Sequence, residues 1–150
     1  MKDERNSSLL VIGYGNALRS DDGVGPRVAE AVGALNLPGV RALACHQLVP
    51  ELAETVARAR AVVFVDAALG ATEKVRCDKL DPAESTQLLA HAADPRGLLA
   101  LAQRAFGRAP VAWWLTVPAP RVGFGEELSP TARRGLEEAV AIVRTLAEPE

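Results

Sequence analysis

Two adjacent carboxylates lie inside a glycine-rich turn near the start of the chain. Residues 12–25 read IGYGNALRSDDGVG, so Asp21 and Asp22 stand among four glycines. A glycine-rich turn after an apolar strand commonly binds phosphate, because the following helix N-terminus presents free backbone N–H groups to an anion. Carboxylates at that place would repel an anion, so this turn requires another explanation.

The dinucleotide-binding motif is incomplete in this turn. Gly13 and Gly15 match the first two glycines of G-x-G-x-x-G, but Leu18 occupies the third place. The end of the next predicted strand reads ALACHQL and lacks the acidic residue that would bind a ribose. A nucleotide-binding module is therefore a distant alternative for this chain.

Motifs of other hydrolase classes are also missing. The chain has no G-x-S-x-G and no H-E-x-x-H, and neither cysteine stands at a predicted helix start. What remains is carboxylates plus histidine: Asp22, Asp66 and His91 are residue types that bind nickel, zinc or iron. The same residues also have structural uses, as a helix cap, a turn residue and a solvated loop residue. Both interpretations stay open at this point.

Strands and helices alternate along the chain and must position these residues. We predict an α/β fold, a three-layer α/β/α sandwich with a mostly parallel, mixed sheet of about five strands. The predicted strands are Leu9–Tyr14, Val40–Cys45, Ala61–Val65, an edge strand within Lys74–Leu80, and Val111–Val117 stopped by Pro118 and Pro120. The predicted helices are Val24–Leu35, one from Pro50, one from Pro95 to Gly107, and one from Pro130 with Ser129 as N-cap, whereas Asp81–Asp94 is predicted as a loop.

The predicted topology brings the carboxylates together. In open parallel sheets, ligands bind beyond the carboxyl ends of the strands, where the strand order reverses. If the first strand lies between the second and third, the loops at that crevice carry Asp21, Asp22 and Asp66.

Length and charge limit the classes of partner. The 150 residues predict a single domain over 1–150, and a net charge of −2 gives no reason to expect nucleic acid or an anionic membrane as partner. No signal peptide or membrane-spanning stretch is apparent, so we expect a cytoplasmic protein, with a monomer as the default state. Cys45 and Cys77 are expected to be reduced and buried.

The segment GYGNALRSDDGVGPRVAEAV resembles the amino-terminal motif of the nickel–iron hydrogenase maturation endopeptidases, G-x-G-N-x-L-x-x-D-[DE]-G-x-G. Further along, VVFVDA ending near Asp66, the histidine ahead of LLALA, and the closing S-P-x-x-x helix follow the order of that family. The resemblance therefore covers most of the chain.

The resemblance implies roles for individual residues. It assigns metal contact and catalysis to Asp22, Asp66 and His91; the first of these is often glutamate in the family. Asn16, with Gly13 and Gly15, is expected to shape the turn, and Asp21 to cap the first helix.

The family's activity explains a turn built for a cation. Its members cut a carboxy-terminal extension from the hydrogenase large-subunit precursor after nickel insertion, so the nickel arrives with the substrate and no tightly bound metal of the enzyme's own is expected. The metal could polarise the scissile carbonyl or activate a water, and a carboxylate could act as general base. A non-catalytic docking or checkpoint protein with the same pocket is the closest alternative.

One departure from the family pattern concerns the end of the second strand. Many members have a D-G-G-T-like stretch there, whereas this chain has Cys45-His46-Gln47-Leu48. An H-Q-L stretch resembles the members that serve bidirectional, NAD(P)-linked hydrogenases. The predicted fold places this stretch on the border of the crevice, so His46 and Gln47 are candidates for substrate recognition; a hydrogen-bonded loop pair without that role is the equal alternative.

Overall fold

A five-stranded sheet with helices on both faces forms the described part of the chain. The computed structural model describes residues 9–70, 74–84 and 93–148. The strands are β1 (Leu9–Tyr14), β2 (Val40–Cys45), β3 (Ala61–Leu69), β4 (Arg76–Leu80) and β5 (Val111–Ala119). The helices are α1 (Val24–Ala34), α2 (Ala53–Arg58), α3 (Pro95–Phe106) and α4 (Pro130–Ala147), and short 3₁₀ turns at Ser20–Gly23 and Pro50–Leu52 precede α1 and α2.

The strand order is β2-β1-β3-β5-β4. Four strands run parallel, and β4 pairs antiparallel with β5 at one edge. This is the mixed, mostly parallel sheet that the alternation of strands and helices predicted. Since β1 lies between β2 and β3, the strand order reverses at β1, and the carboxyl ends of β1 and β3 border the expected crevice.

The core has one layer on each face of the sheet. In β1, Leu9 and Val11 pack on the α1 and α4 side, whereas Leu10 and Ile12 pack on the α2 and α3 side. The strand is therefore apolar at successive positions because both of its faces are covered. This burial fixes β1 as the rigid support of the turn that follows it.

The helix ends follow local signals that the sequence carries. The side chain of Asp94 caps α3 by accepting from the Arg96 N–H at 2.8 Å, and Gly107 ends that helix with a φ of 76°. The Ser129 hydroxyl caps α4 by accepting from the Ala132 N–H at 3.1 Å, with Pro130 next to it. The predicted starts of α3 and α4 are confirmed.

Two strands are longer than predicted. β3 continues past Val65 to Leu69, and β5 continues through Pro118 to Ala119, because the two strands pair residue by residue over that length. The Ala119 carbonyl accepts from the Gly70 N–H on the β3 side, so the neighbouring Pro118 faces the other side. There β4 pairs only as far as Thr116, so no ladder hydrogen bond needs the N–H that Pro118 lacks. Asp66 consequently lies within a strand rather than after one.

The prediction that both cysteines are buried is wrong for Cys77. Its side chain is exposed on the edge strand β4, whereas Cys45 is half-buried at the end of β2. β2 and β4 are opposite edges of the sheet, with three strands between them, and at ~4.8 Å per strand they are roughly 19 Å apart. A disulfide needs Cα atoms within about 7 Å, so both thiols are free.

Within residues 9–70, 74–84 and 93–148, no helix combines the length and the apolar composition that crossing a membrane requires.

Candidate functional site

The glycines of the first turn let α1 approach β1 and β3 at backbone distance. A Cβ at Gly13 would lie 2.0 Å from the Gly25 carbonyl oxygen, and a Cβ at Gly25 would lie 2.4 Å from the backbone carbonyl oxygen of Tyr14. Gly15 has a φ of +149°, and a Cβ there would lie 2.0 Å from the backbone carbonyl oxygen of Asp22. Glycine is the residue that fits such contacts, so Gly13 and Gly15 shape the turn by close packing.

Asp21 is fully buried and does not cap α1. The N-cap of that helix is Gly23, and neither it nor Arg19, the N-cap of the 3₁₀ turn, makes a side-chain cap hydrogen bond. The Asp21 carboxylate instead accepts from the Arg121 N–H at 2.8 Å, the Ser129 N–H at 2.7 Å and the Ser129 hydroxyl at 2.7 Å. The expected capping role was wrong, because the loop before α4 supplies donors that a short-range interpretation of the sequence does not include.

Asp22 lies at the surface of the same turn. Its Oδ2 accepts from the Asn16 N–H at 3.0 Å, and Asn16 Oδ1 accepts from the Leu18 N–H at 2.9 Å. Asn16 therefore closes the turn with its side chain while its backbone orients Asp22, a structural use of the asparagine that agrees with its predicted role. Asp22 lines a cavity of about 340 Å³ together with Arg19, Leu69, Gly70 and Val122.

Asp66 lies in β3, just past the predicted end of that strand at Val65, and is half-buried. Its Oδ2 accepts a hydrogen bond of 3.0 Å from the Tyr14 hydroxyl, at the end of β1. Burial raises the pKa of the Asp66 carboxyl above its ordinary value; the Tyr14 hydrogen bond and the Ala67 N–H oppose this shift, and the negative charge of Asp22 adds to it. The two predicted carboxylates are therefore close enough to interact electrostatically, as the topology predicted.

Two aromatic residues at Asp66 were not among the predicted site residues. Burial and the Asp66 charge raise the pKa of Tyr14, so its hydroxyl stays a hydrogen-bond donor. The Trp114 indole N–H lies near Asp66 and Tyr14 and lowers the pKa of both, but it is buried without a hydrogen-bond partner among the described residues. The available signal was position: Tyr14 ends β1 and Trp114 lies in β5, and β3 pairs with both strands.

His46 lies on the other side of the first turn from the Asp22 cavity. It is exposed and lines a separate cavity of about 420 Å³, whose other walls include Asn16, Leu18, Glu30 and Cys45. Burial raises the pKa of the Cys45 thiol. Gln47 is exposed and belongs to the lining of neither cavity. The two residues thus border the turn without entering the cavity of Asp22, and their role in recognition stays a prediction.

The third predicted metal ligand, His91, lies outside the described residues. Within 9–70, 74–84 and 93–148, no three histidine, cysteine or acidic side chains converge as a metal site. The structure places Asp22 and Asp66 at the same edge of the sheet, and the metal site that they would form with His91 stays a prediction.

The arrangement of Asp22 and Asp66 favours one kind of chemistry. A carboxylate with a raised pKa beside a second carboxylate can bind a cation, which relieves their repulsion, or exchange a proton with a substrate. An anionic ligand would meet both negative charges. The crevice is therefore suited to a cationic group and to acid–base work.

No family model matches the chain, and no curated relative does. Several solved structures are similar to it. The [NiFe] hydrogenase maturation protease HybD from Thermococcus kodakarensis superposes with a TM-score of 0.70 at 21% identity, covering 93% of this chain and 99% of that one. The hydrogenase 2 maturation peptidase from Thaumarchaeota archaeon SCGC_AB-539-E09 gives 0.67 at 23% identity, covering 95% and 99%. The hydrogenase maturating endopeptidase HybD from E. coli gives 0.65 at 20% identity, covering 92% and 90%. The chain therefore has the fold that these hydrogenase maturation proteases share.

Proposed function

We propose that this protein is an endopeptidase that removes the carboxy-terminal extension of a nickel–iron hydrogenase large-subunit precursor after nickel insertion. One observation carries the proposal: Asp22, in the turn that follows β1, and Asp66, in the last part of β3, lie at the edge of the sheet where the strand order reverses. The likeness in fold to hydrogenase maturation proteases supports it.

Nickel enters this proposal as part of the substrate. Asp22 and Asp66 would contact the cation that arrives with the precursor, and His91 would supply the third ligand, so no tightly bound metal of the protein's own is expected. Bound there, the metal supplies Lewis acidity to the scissile carbonyl or to a water. One of the two carboxylates would accept a proton from the attacking water, and the raised pKa of Asp66 makes it the stronger base of its type.

The test compares two forms of the precursor. The protein is mixed with nickel-loaded and with nickel-free large-subunit precursor, and the precursor mass is measured. We expect loss of a carboxy-terminal peptide from the nickel-loaded form alone. An intact precursor held in a nickel-dependent complex would instead identify a docking or checkpoint protein, and cleavage of both forms would remove nickel from the proposal.

Single variants assign the site. Asp22→Ala and Asp66→Ala are each expected to abolish processing, since both carboxylates contact the cation, and His91→Ala tests the third ligand. Circular dichroism confirms that each variant is folded. If a variant cuts at the wild-type rate, the residue replaced in it is not a ligand of the cation.

The choice of client is proposed to depend on His46 and Gln47. The H-Q-L stretch predicts a bidirectional, NAD(P)-linked hydrogenase as the client. The enzyme is proposed to act as a monomer and to meet the precursor in the cytoplasm. Cleavage rates are measured on the precursor of a bidirectional, NAD(P)-linked hydrogenase and on the precursor of another nickel–iron hydrogenase. Exchanging His46-Gln47 for Gly-Gly should change the ratio of these two rates. An unchanged ratio would leave the pair with a loop role only.

A further inference from the structure

Four large apolar side chains are exposed at the carboxyl end of the sheet. Leu18 is 52% exposed, Leu69 56%, Val122 40% and Phe124 91%; we refer to these four as the apolar rim. They come from the ends of three strands, since Leu18 follows β1, Leu69 ends β3 and the other two follow β5. A cluster of exposed apolar side chains next to a polar cavity is typical of a surface that binds another molecule.

The apolar rim is held in place by hydrogen bonds between loops. The Ser20 N–H donates to the Gly125 oxygen at 2.7 Å, and the Gly125 N–H donates to the Leu18 oxygen at 2.8 Å. The Ser20 hydroxyl donates to the Gly123 oxygen at 2.7 Å. Both neighbours of Phe124 are thereby bonded to the first turn. The exposure of this aromatic ring is therefore a property of a fixed loop and not of a free end.

Two members of the apolar rim line the Asp22 cavity, and a third, Leu18, lines the cavity of His46. Leu69 and Val122 form apolar walls of the Asp22 cavity of about 340 Å³, and Asp22 and Arg19 form its charged walls. An α-helix is about 10–12 Å across with its side chains, which is too wide for such a space, whereas an extended segment with one or two inserted side chains fits it.

We infer that the apolar rim docks an extended segment of the precursor protein, with an apolar side chain against Leu69 and Val122 and a cationic group at Asp22. Arg19 then offers guanidinium donors to the main-chain carbonyls of that segment. This inference rests on the proposed function, which supplies the segment and its cation.

Charge favours this occupant over an anionic lipid surface. The carboxylates of Glu126 and Glu127 are exposed beside Phe124, Asp22 lines the cavity, and the exposed Arg19 and Arg121 stand among them. An anionic lipid surface is bound by clusters of lysine and arginine, and this mixed face does not form one. The Asp22 carboxylate in the cavity attracts the cation that the segment carries.

The experiment separates docking from cleavage. Binding of the nickel-loaded precursor is measured by interferometry in an Asp66→Asn background, where no cutting is expected, and cleavage is measured separately with Asp66 present. Phe124→Ala and Val122→Ala should each weaken binding about tenfold. With Asp66 present they should raise KM and leave kcat within about twofold, because the rim contacts the substrate away from the reacting bond.

Phe106→Ala is the matched control. Phe106 is a 49% exposed phenylalanine at the end of α3, at the opposite end of the sheet. Its removal should leave both binding and KM unchanged. Equal losses in the Phe106 and Phe124 variants would overturn the inference.

The remaining outcomes each have one meaning. Cleavage by the wild type with unchanged KM in the rim variants overturns the apolar rim and leaves the proposed function standing. Binding that depends on the rim, without any cleavage by the wild type, overturns the proposed cleavage and leaves the docking surface standing. If neither binding nor cleavage is seen, both proposals are overturned. Phe124-dependent dimerisation in sedimentation velocity, or Phe124-dependent binding to vesicles of phosphatidylcholine and phosphatidylglycerol, would assign the face to a second copy or to lipid instead.

Discussion

The Tyr14 hydroxyl donates a 3.0 Å hydrogen bond to Asp66 Oδ2, from the end of β1 to the end part of the neighbouring strand β3. Burial raises the pKa of this carboxyl, and the Tyr14 hydrogen bond lowers it. The tyrosine thus stabilises the ionised form of a carboxylate that the surrounding core disfavours. It also fixes the position of Oδ2 relative to the end of β1.

Tyr14→Phe removes this donor and should shift the pH dependence of cleavage. The pKa of Asp66 rises further in the variant, so the acid limb of the kcat/KM profile moves to higher pH. At alkaline pH, where Asp66 is ionised in both proteins, the rates should agree within about tenfold. The measurement is a kcat/KM profile from pH 5 to 9. A uniform loss with an unmoved limb would show that Tyr14 only supports packing.

Asp66→Asn should stabilise the protein at neutral pH while abolishing cleavage. The pKa of an aspartate in the unfolded chain is about 3.9, and the pKa of Asp66 in the folded protein is higher. Between the two values the folded state binds more protons than the unfolded state, so the free energy of unfolding of the wild type falls as pH rises through that window. Asparagine has no such dependence.

The measurement is urea unfolding of both proteins at pH 4 and pH 7.5. The stability of Asp66→Asn relative to the wild type should be greater at pH 7.5 than at pH 4. Asp81→Asn, which changes an exposed carboxylate, gives the effect of losing one charge elsewhere. A relative stability that is equal at both pH values contradicts burial as the cause of the shift.

Much of the fold follows from local patterns in the sequence. β1 is a continuous apolar run closed by glycine, and α3 and α4 begin at a capping residue followed by proline. The lengths of β3 and β5 were underestimated because the end of each strand depends on its pairing with the other. A proline reads as a stop in sequence, yet Pro118 is tolerated because its outer side has no partner strand.

The site was predicted in part. Asp22 and Asp66 come together because parallel strands end at one edge, which topology predicts. The partners of Asp21 are Arg121 and Ser129, 100 and 108 residues away, and Tyr14 is 52 residues from Asp66. No pattern in a single sequence pairs residues over such distances, so these contacts required the structure.

Replacing each member of the aspartate pair separates structure from chemistry. Asp21→Ala leaves the Ser129 N–H and hydroxyl and the Arg121 N–H without their acceptor, and should lower the free energy of unfolding by about 3 kcal/mol. Asp22→Ala loses one hydrogen bond from Asn16 at a half-exposed site and should cost about 1 kcal/mol while abolishing cleavage.

Urea unfolding and cleavage assays on the two variants provide this test. Asp21→Asn is the conservative comparison, since its amide keeps one acceptor oxygen and should recover part of the loss. If Asp22→Ala were the more destabilised of the two, the division of roles within the pair would be reversed.

Two glycines of α1 should respond to alanine in opposite directions. A Cβ at Gly25 would lie 2.4 Å from the Tyr14 oxygen and 2.6 Å from the Val65 oxygen, so Gly25→Ala must displace the helix from β1 and β3 and should cost about 3 kcal/mol. A Cβ at Gly33, in the same helix, would meet the Ala42 Cβ at 3.7 Å, an ordinary contact and the only one within 4 Å among the described residues. Gly33→Ala should therefore stabilise by about 0.5–1 kcal/mol, since alanine has the higher helix propensity. Urea unfolding measures both changes, and cleavage should fall in the Gly25 variant because the displaced helix start moves Asp22. Equal effects of the two substitutions would contradict the close approach of backbones as the reason for glycine at position 25.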